Sequence, residues 1–140
     1  MISYGKQFVD KKDIRAVNNV LNSNFLTQGP LVEKFEKSLS KYFPCKYVSV
    51  VSSGTAALHL TALALNFKKK DLIITSPNTF LASANSALYA GSDIDFVDIN
   101  QITFNLDPIL LEIKIKKLKK KNKKVKAVIV TDYAGHPADW

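Results

Sequence analysis

Residues 72–89 of this chain read LIITSPNTFLASANSALY. The first four residues are an apolar, β-branched run typical of a buried strand, and Ser76-Pro77-Asn78-Thr79 ends that run as a turn. Residues 80–89 then have the composition of a buried helix, and Gly91 supplies a helix stop. A strand, a tight turn and a buried helix form the unit from which parallel sheets are built.

The same unit recurs on both sides of this segment. Further strands are predicted for residues 47–51, 94–99 and 125–130, and further helices for residues 55–66 and 109–121. Strands that alternate with helices at this spacing are joined by right-handed crossovers, so the four strands should form one largely parallel sheet. The sequence therefore predicts an α/β fold.

Two amphipathic helices are predicted ahead of the sheet. One spans residues 10–21, and the other runs from Pro30, whose missing N–H is harmless in a first turn, to about Phe43. In the first helix, one apolar stripe is formed by Ile14, Val17, Val20 and Leu21. In the second helix, we expect the apolar stripe to be buried, and it is formed by Leu31, Phe35, Leu39 and Tyr42. The polar loop between the helices contains Phe25 and Leu26, two large apolar residues without a periodic partner.

The chain is predicted to divide into two parts. Residues 1–45 form a helical segment with its loop, and residues 46–140 form the first half of a larger sheet domain. Residues 135–140 have the composition of a loop that enters another helix. The chain is then either a minimal four-stranded domain or, as this pattern favours, the N-terminal piece of a longer protein.

Composition excludes several classes of protein. The 140 residues are 46% hydrophobic and 23% charged, which is typical of a globular domain and not of a disordered chain. No apolar run approaches the roughly 18 residues of a membrane helix, and no signal region opens the chain, so we expect a cytoplasmic protein without a membrane partner. The single cysteine, Cys45, excludes an internal disulfide and a cysteine-built zinc site.

The net charge of +8 comes from one segment. Residues 114–126 contain nine of the 20 basic side chains and no acidic one. Only Arg15 is an arginine, and lysine is poorly suited to bidentate recognition of bases or phosphates, so nucleic acid is not an expected partner. The segment should be the solvated face of a helix and its loop, with Ile113, Ile115 and Leu118 turned inward. A basic nucleic-acid-binding domain is the weakest alternative.

In open parallel sheets, ligands bind beyond the carboxyl ends of the strands. The turn Ser53-Gly54-Thr55 offers a glycine, two hydroxyls and the free N–H groups of a helix start, which are the parts of a cup for a small phosphate. The alternative is that Ser53 only caps the helix. Phe80 could stack on a flat heteroaromatic ligand or belong to the core. His136 has no second candidate at metal-ligand spacing, so no metal is expected.

Taken together, these segments resemble the DegT/StrS-type sugar aminotransferases, pyridoxal-phosphate enzymes of the fold-type I class. The matching pieces are spread over the whole chain and include Leu26-Thr27-Gln28-Gly29-Pro30, Ser53-Gly54-Thr55-Ala56-Ala57-Leu58-His59, Ile74-Thr75-Ser76-Pro77-x-Thr79-Phe80-x-Ala82-Ser83, Phe96-Val97-Asp98 and Ala134-Gly135. Residues 4–7 and 83–89 and the lysine-rich stretch further resemble the PseC branch. That branch aminates C4 of a UDP-linked 4-keto-6-deoxy-N-acetyl sugar.

The resemblance implies a fold, a cofactor and site residues. The fold is the three-layer, mainly parallel large domain of fold-type I, and the cofactor is pyridoxal 5′-phosphate, with its phosphate at Ser53, Gly54 and Thr55 and its ring against Phe80. The UDP-sugar is expected to contact Tyr4 and the loop residues Asn24, Phe25, Leu26 and Thr27. Glutamate as amino donor, a homodimer and a cytoplasmic reaction are also implied.

The resemblance implies no catalytic residue among these 140 positions. In the family, the Schiff-base lysine, the aspartate that pairs with the pyridine nitrogen and the serine that completes the phosphate site all lie beyond the matching segments. A stronger alternative to an aminotransferase than nucleic-acid binding therefore remains. The chain would then be a catalytically inactive α/β remnant that binds phosphate or a complementary chain.

Overall fold

The structure, a computed structural model, describes residues 5–140. The chain divides into two compact units, one ending at Val50 and one spanning Val51–Trp140.

The first unit contains two helices, α1 (Lys11–Leu21) and α2 (Pro30–Tyr42). Asp10 begins α1 with a capping box, because its carboxylate accepts from the backbone N–H groups of Lys12 and Asp13 while the Asp13 side chain accepts from the N–H of Asp10. Pro30 is the first residue of α2, and Gly29 precedes it in an extended conformation. Both helices begin and end within about one residue of the predicted bounds.

The predicted burial of the α2 stripe is wrong. Phe35 is 52% exposed and Tyr42 is 78% exposed, and Leu31 is also exposed, while only Leu39 is half-buried. Two short helices supply no second layer, so no described part of the first unit covers these side chains.

Residues 47–51 do not form the predicted strand. A strand exists through its ladder of backbone hydrogen bonds, and no described strand pairs with this segment. The backbone N–H of Val50 instead donates to the Glu36 carboxylate in α2, at 2.9 Å. The sheet therefore has three strands rather than the predicted four.

The second unit is built on a parallel sheet of β1 (Leu72–Thr75), β2 (Asp93–Phe96) and β3 (Val125–Val128), in the order β2-β1-β3. Both β2 and β3 are shorter than predicted. Past the end of β2, Ile99 forms an isolated antiparallel bridge with Leu106. Past the end of β3, the N–H of Ile129 still donates to the carbonyl of Ile74, at 2.8 Å.

Three helices complete this unit: α3 (Gly54–Ala64), α4 (Ala82–Tyr89) and α5 (Pro108–Lys120). Successive side chains of a strand point to opposite faces of the sheet. Ile73 accordingly packs with residues of α3 and α4, whereas Ile74 packs with Leu118 of α5. The predicted α/β fold, with a parallel sheet between helices, is confirmed.

Helix α5 carries much of the lysine-rich segment. Leu118 is buried and Ile115 is half-buried, as predicted, but Ile113 is 56% exposed because it lies on the outer side of the helix. Lys114 pairs with Asp95 of β2 at 2.8 Å, and Lys116 pairs with Glu112 within the helix. None of the helices within residues 5–140 has the length and apolar character that crossing a membrane requires.

Candidate functional site

The start of α3 is shaped by Ser53. Its side-chain oxygen accepts from the backbone N–H of Ala56 at 3.2 Å, and its carbonyl accepts from the N–H of Ala57 at 3.1 Å. Ser53 is therefore a helix cap, as the simpler interpretation holds. The N–H groups of Gly54 and Thr55 lie in the first turn of α3, where no preceding turn of the helix supplies a carbonyl. They have no acceptor among the described residues. The turn thus presents two backbone donors at the positive end of a helix.

Gly54 is not required by the conformation of the chain. A Cβ atom built on it would meet nothing within 4 Å, and its backbone is helical rather than left-handed. Alanine is the better helix former, so packing and propensity both leave glycine unexplained. What glycine does provide is open access to the backbone donors, since a Cβ tilts toward the N-terminal end of its helix. Ser53, Gly54 and Thr55 are all exposed, and this arrangement fits a small phosphate group.

Phe80 follows β1 at its carboxyl end. Its side chain is 75% exposed, so it does not belong to the core. Helix α4 begins at Ala82, and Phe80 therefore lies in the preceding loop rather than opening the helix as predicted. The difference arises because the N–H of Ser83 donates to the carbonyl of Phe80, three residues earlier, which is the spacing of a 3₁₀ turn and not the four-residue spacing of an α-helix. An exposed ring at this edge is free to stack on a flat ligand.

The loops that follow the three strands meet at one edge of the sheet. The hydroxyls of Thr79 and Thr131 lie 2.7 Å apart and join the loops after β1 and β3. Asn105, after β2, donates to the carbonyl of His136 and accepts from the N–H of Tyr133. The carboxyl ends of the three strands thus carry a connected set of polar side chains, at the edge where ligands bind in open parallel sheets.

A cleft of about 350 Å³ opens beside these loops, lined by residues that include Asn105, Asp107, His136 and Asp139. Asp107 is committed to capping α5, since its carboxylate accepts from the N–H groups of Ile109 and Leu110. Across the described ranges, no group of three or more His, Cys, Asp or Glu side chains is placed to hold a metal ion.

The predicted substrate loop lies in the first unit. Phe25 is 59% exposed and Leu26 is 66% exposed, and both line a groove of about 280 Å³ together with Val20, Gly29 and neighbouring residues. A Cβ on Gly29 would lie 2.7 Å from the Cβ of Phe25, so only glycine at this position leaves room for the Phe25 side chain.

The predicted substrate contacts also include Asn24, Thr27 and Tyr4. Asn24 and Thr27 are exposed in the same loop, and Tyr4 lies outside the described residues. The predicted cofactor residues, Ser53, Gly54, Thr55 and Phe80, all belong to the second unit, where α3 packs against α4.

The sequence alone did not identify Thr79, Thr131 or Asn105 as residues that connect the loops by hydrogen bonds. All three follow strands, and Asn105 is 3% exposed with both ends of its amide bonded. Their position after a strand was a usable signal, but the sequence does not reveal which loop each side chain reaches.

Three carboxyl groups have shifted pKa values, and none of them belongs to the loops that follow the strands. Burial raises the pKa of Asp95, but the hydrogen bond from Lys114, the N–H of Phe96 and the charges of Lys114 and Lys123 outweigh it and lower that pKa below its ordinary value. Neighbouring lysines within the same helix lower the pKa of Glu33 and Glu112. These pairs are structural rather than part of the candidate site.

Comparison with known proteins identifies relatives of the whole chain. A family model described as the DegT/DnrJ/EryC1/StrS aminotransferase family matches residues 7–140. The UDP-4-amino-4,6-dideoxy-N-acetyl-beta-L-altrosamine transaminase of Campylobacter jejuni subsp. jejuni serotype O:23/36 is 38% identical over 139 residues, which cover 99% of this chain and 36% of that protein. The chain thus spans about a third of the length of this curated relative.

Solved structures agree with this finding. Helicobacter pylori PseC, an aminotransferase involved in the biosynthesis of pseudoaminic acid, is 35% identical with a TM-score of 0.81, covering 98% of this chain and 36% of that one. The putative sugar aminotransferase Spr1654 of Streptococcus pneumoniae, in its PLP form, is 28% identical with a TM-score of 0.82, covering 99% and 34%. The predicted fold, that of the large domain of pyridoxal-phosphate transferases, is confirmed. The chain belongs to the DegT/DnrJ/EryC1/StrS aminotransferase family.

Proposed function

We propose that this chain carries the cofactor-binding half-site of a pyridoxal-phosphate-dependent nucleotide-sugar aminotransferase. The reaction is the transfer of an amino group, with glutamate as donor, to the 4-keto group of a UDP-4-keto-6-deoxy-N-acetyl sugar. The product would serve cell-surface polysaccharide or pseudaminic acid biosynthesis. The relatives named above support this substrate class, as their names describe an altrosamine transaminase and an aminotransferase of pseudoaminic acid biosynthesis.

The observation that carries the proposal is the unexplained glycine at the start of α3. A Cβ at Gly54 would meet no atom of the protein, so the space beside it is free for a ligand. The N–H groups of Gly54 and Thr55 would donate to the cofactor phosphate, and the helix dipole favours its negative charge. Ser53 still has a hydroxyl hydrogen to donate, because its oxygen only accepts from Ala56.

Phe80 would hold the ring of the same cofactor. When bound, pyridoxal phosphate supplies an electron sink for moving an amino group between two carbon skeletons. The exposed Phe80 ring would stack on one face of the pyridine and keep water from that face. No residue of the second unit is assigned a proton-transfer role.

The substrate loop and the assembly extend this proposal. Tyr4 and the loop residues Asn24, Phe25, Leu26 and Thr27 would contact the UDP-sugar, and the exposed apolar pair Phe25 and Leu26 would then gain a partner. In this proposal the protein acts as a cytoplasmic homodimer. Residues 1–45 form the substrate segment, and residues 46–140 form the first half of the cofactor domain.

One observation favours the alternative of a catalytically inactive chain. In the second unit, lysines lie either in residues 68–70, ahead of β1, or in residues 114–126 of α5, its loop and β3. The first group lies at the amino end of β1, opposite the edge that carries Phe80, and the second carries the solvated charge. Neither group is placed to react with a cofactor held at Ser53, so the second unit by itself would bind the cofactor without catalysing transfer.

Calorimetric titration with 4′-deoxypyridoxine 5′-phosphate tests the proposal. This probe keeps the phosphate and the ring but lacks the aldehyde, so it cannot react with the many surface lysines. We expect it to bind more tightly than 4′-deoxypyridoxine, which lacks the phosphate, and Phe80→Ala to weaken it. Equal affinity for the two probes would contradict the phosphate cup, and an unchanged affinity in Phe80→Ala would contradict the role of the ring.

A further inference from the structure

Three hydroxyl groups meet directly beside Phe80. The Thr79 Oγ1 lies 2.9 Å from the Ser83 Oγ and 2.7 Å from the Thr131 Oγ1. Ser83 belongs to the first turn of α4, and Thr131 belongs to the loop after β3. A hydroxyl can donate once and accept more than once, so Thr79 can bond to both neighbours at the same time.

The backbone of Phe80 is held on its other side as well. Its carbonyl accepts from the N–H of Ser83 at 3.0 Å. Ser83 is 6% exposed and Thr79 is half-buried, so these contacts are largely shielded from water. Phe80 thus has a fixed backbone and a free ring, since its side chain is 75% exposed.

The far end of this network is anchored to the sheet. Thr131 comes two residues after Ile129, whose carbonyl accepts from the Thr75 hydroxyl at 2.9 Å and whose N–H donates to the carbonyl of Ile74. Thr75 is fully buried. The loop that bears the ring is therefore tied to the neighbouring strand extension and not only to its own helix.

We propose that the hydroxyls of Thr79 and Thr131 position the Phe80 ring for the cofactor, which makes them positioning residues rather than catalytic ones. This inference rests on the proposed function, because the ring must have a ligand to meet. Valine at either position keeps the shape of the side chain but removes the 2.7 Å bond. The loop bearing Phe80 would then sample more orientations, and the ring-dependent part of binding would fall.

The test compares two ligands on the 140-residue chain. Inorganic phosphate reaches only the turn at Ser53, whereas 4′-deoxypyridoxine 5′-phosphate also meets Phe80. We expect Thr131→Val, which removes one hydrogen bond, to weaken the second ligand about fivefold. Thr79→Val removes the bonds to both Ser83 and Thr131, so it should weaken that ligand at least as much. Both variants should leave the phosphate affinity unchanged. Thr79→Ser, which keeps the hydroxyl, should restore the wild-type affinity.

Two controls separate positioning from a general loss of structure. Thr61→Val removes a matched hydroxyl, the one that donates to the Ala57 carbonyl in α3, and should change neither affinity. In a Phe80→Ala background, Thr79→Val should have no further effect, because the ring that it positions is gone.

The remaining outcomes are decisive. Equal weakening of both ligands by Thr79→Val, or the same weakening with Phe80 already replaced, would overturn the positioning role. If Phe80→Ala leaves the affinity for 4′-deoxypyridoxine 5′-phosphate unchanged, the ring contact in the proposed function fails instead. If Thr79→Val prevents folding, the affinities of Thr131→Val and Thr79→Ser for the two ligands provide the same test.

Discussion

Replacing Gly54 by alanine should separate the stability of this protein from its ligand binding. Most substitutions at a binding site disturb both properties, which makes their interpretation difficult. At Gly54 the added methyl group would meet no protein atom within 4 Å, and the backbone is already helical. The folded chain therefore has no steric reason to resist the change.

The expected magnitudes follow from this geometry. Gly→Ala at a compatible position typically stabilises a protein by about 0.4–1 kcal/mol, because alanine loses less backbone entropy on folding. The Cβ would tilt toward the N-terminal end of α3, where the phosphate must approach the N–H groups of Gly54 and Thr55. Losing one charge-assisted hydrogen bond there costs about 1.5–3 kcal/mol, which is at least tenfold in affinity.

The assay pairs urea unfolding, followed by far-UV circular dichroism, with calorimetric titration of inorganic phosphate and 4′-deoxypyridoxine 5′-phosphate. We expect an equal or higher unfolding midpoint and at least a tenfold loss of affinity for both ligands. Ala57→Ser, an exposed change one turn further along α3, serves as a control that should leave binding unchanged. Full affinity in Gly54→Ala would refute the assignment of the cup, whereas a marked loss of stability would refute the claim that the space is open.

Three further predictions concern stability. Gly29→Ala should destabilise the first unit by about 1–3 kcal/mol, because the new Cβ would lie 2.7 Å from the Cβ of Phe25. Hydrogen exchange should then show reduced protection of the α2 amides, and unchanged protection would contradict the prediction. Ile74→Ala should cost about 2–5 kcal/mol, since Ile74 is 0% exposed, whereas Ile102→Ala, at 87% exposed, should stay within about 0.5 kcal/mol of wild type in the same urea assay. The Asp95 pKa is lowered below the ordinary 3.8, so the Lys114 pair contributes fully above that pH and is lost as the pH falls through the lower folded value. Solvent screening limits this contribution to about 1 kcal/mol or less, and Asp95→Asn should remove it; a pH dependence in Asp95→Asn equal to that of wild type would contradict the assignment.

The sequence predicted the helices and β1 well because their signals are local. Asp10 and Pro30 mark helix starts by their own chemistry, and the bounds of β1 agree with the run Leu72 to Thr75. Residues 47–51 have the same local character as β1 but do not form a strand. A strand depends on its partner, and the composition of a segment carries no information about whether a partner is present.

Burial was likewise harder to predict than periodicity. The α2 stripe has the spacing of a buried face, yet Phe35 and Tyr42 are exposed, because spacing tells which side chains share a face and not what lies against it. At the candidate site, the turn at Ser53 and the ring of Phe80 were readable from residue type and position. The contacts of Thr79 with Thr131, which lie 52 positions apart in the chain, required the fold.

The double use of Ser53 has a consequence for the dynamics of α3. One side of its hydroxyl oxygen holds the first turn of the helix, and the hydrogen on the other side is available to an anion. A phosphate bound there would also meet the two backbone donors that the helix leaves unused, so its arrival would suppress fraying of the first turn. Amide exchange at residues 54–57 should therefore slow in the presence of ligand. Through Ala62, which packs on Ile73, that ordering would reach the centre of the sheet.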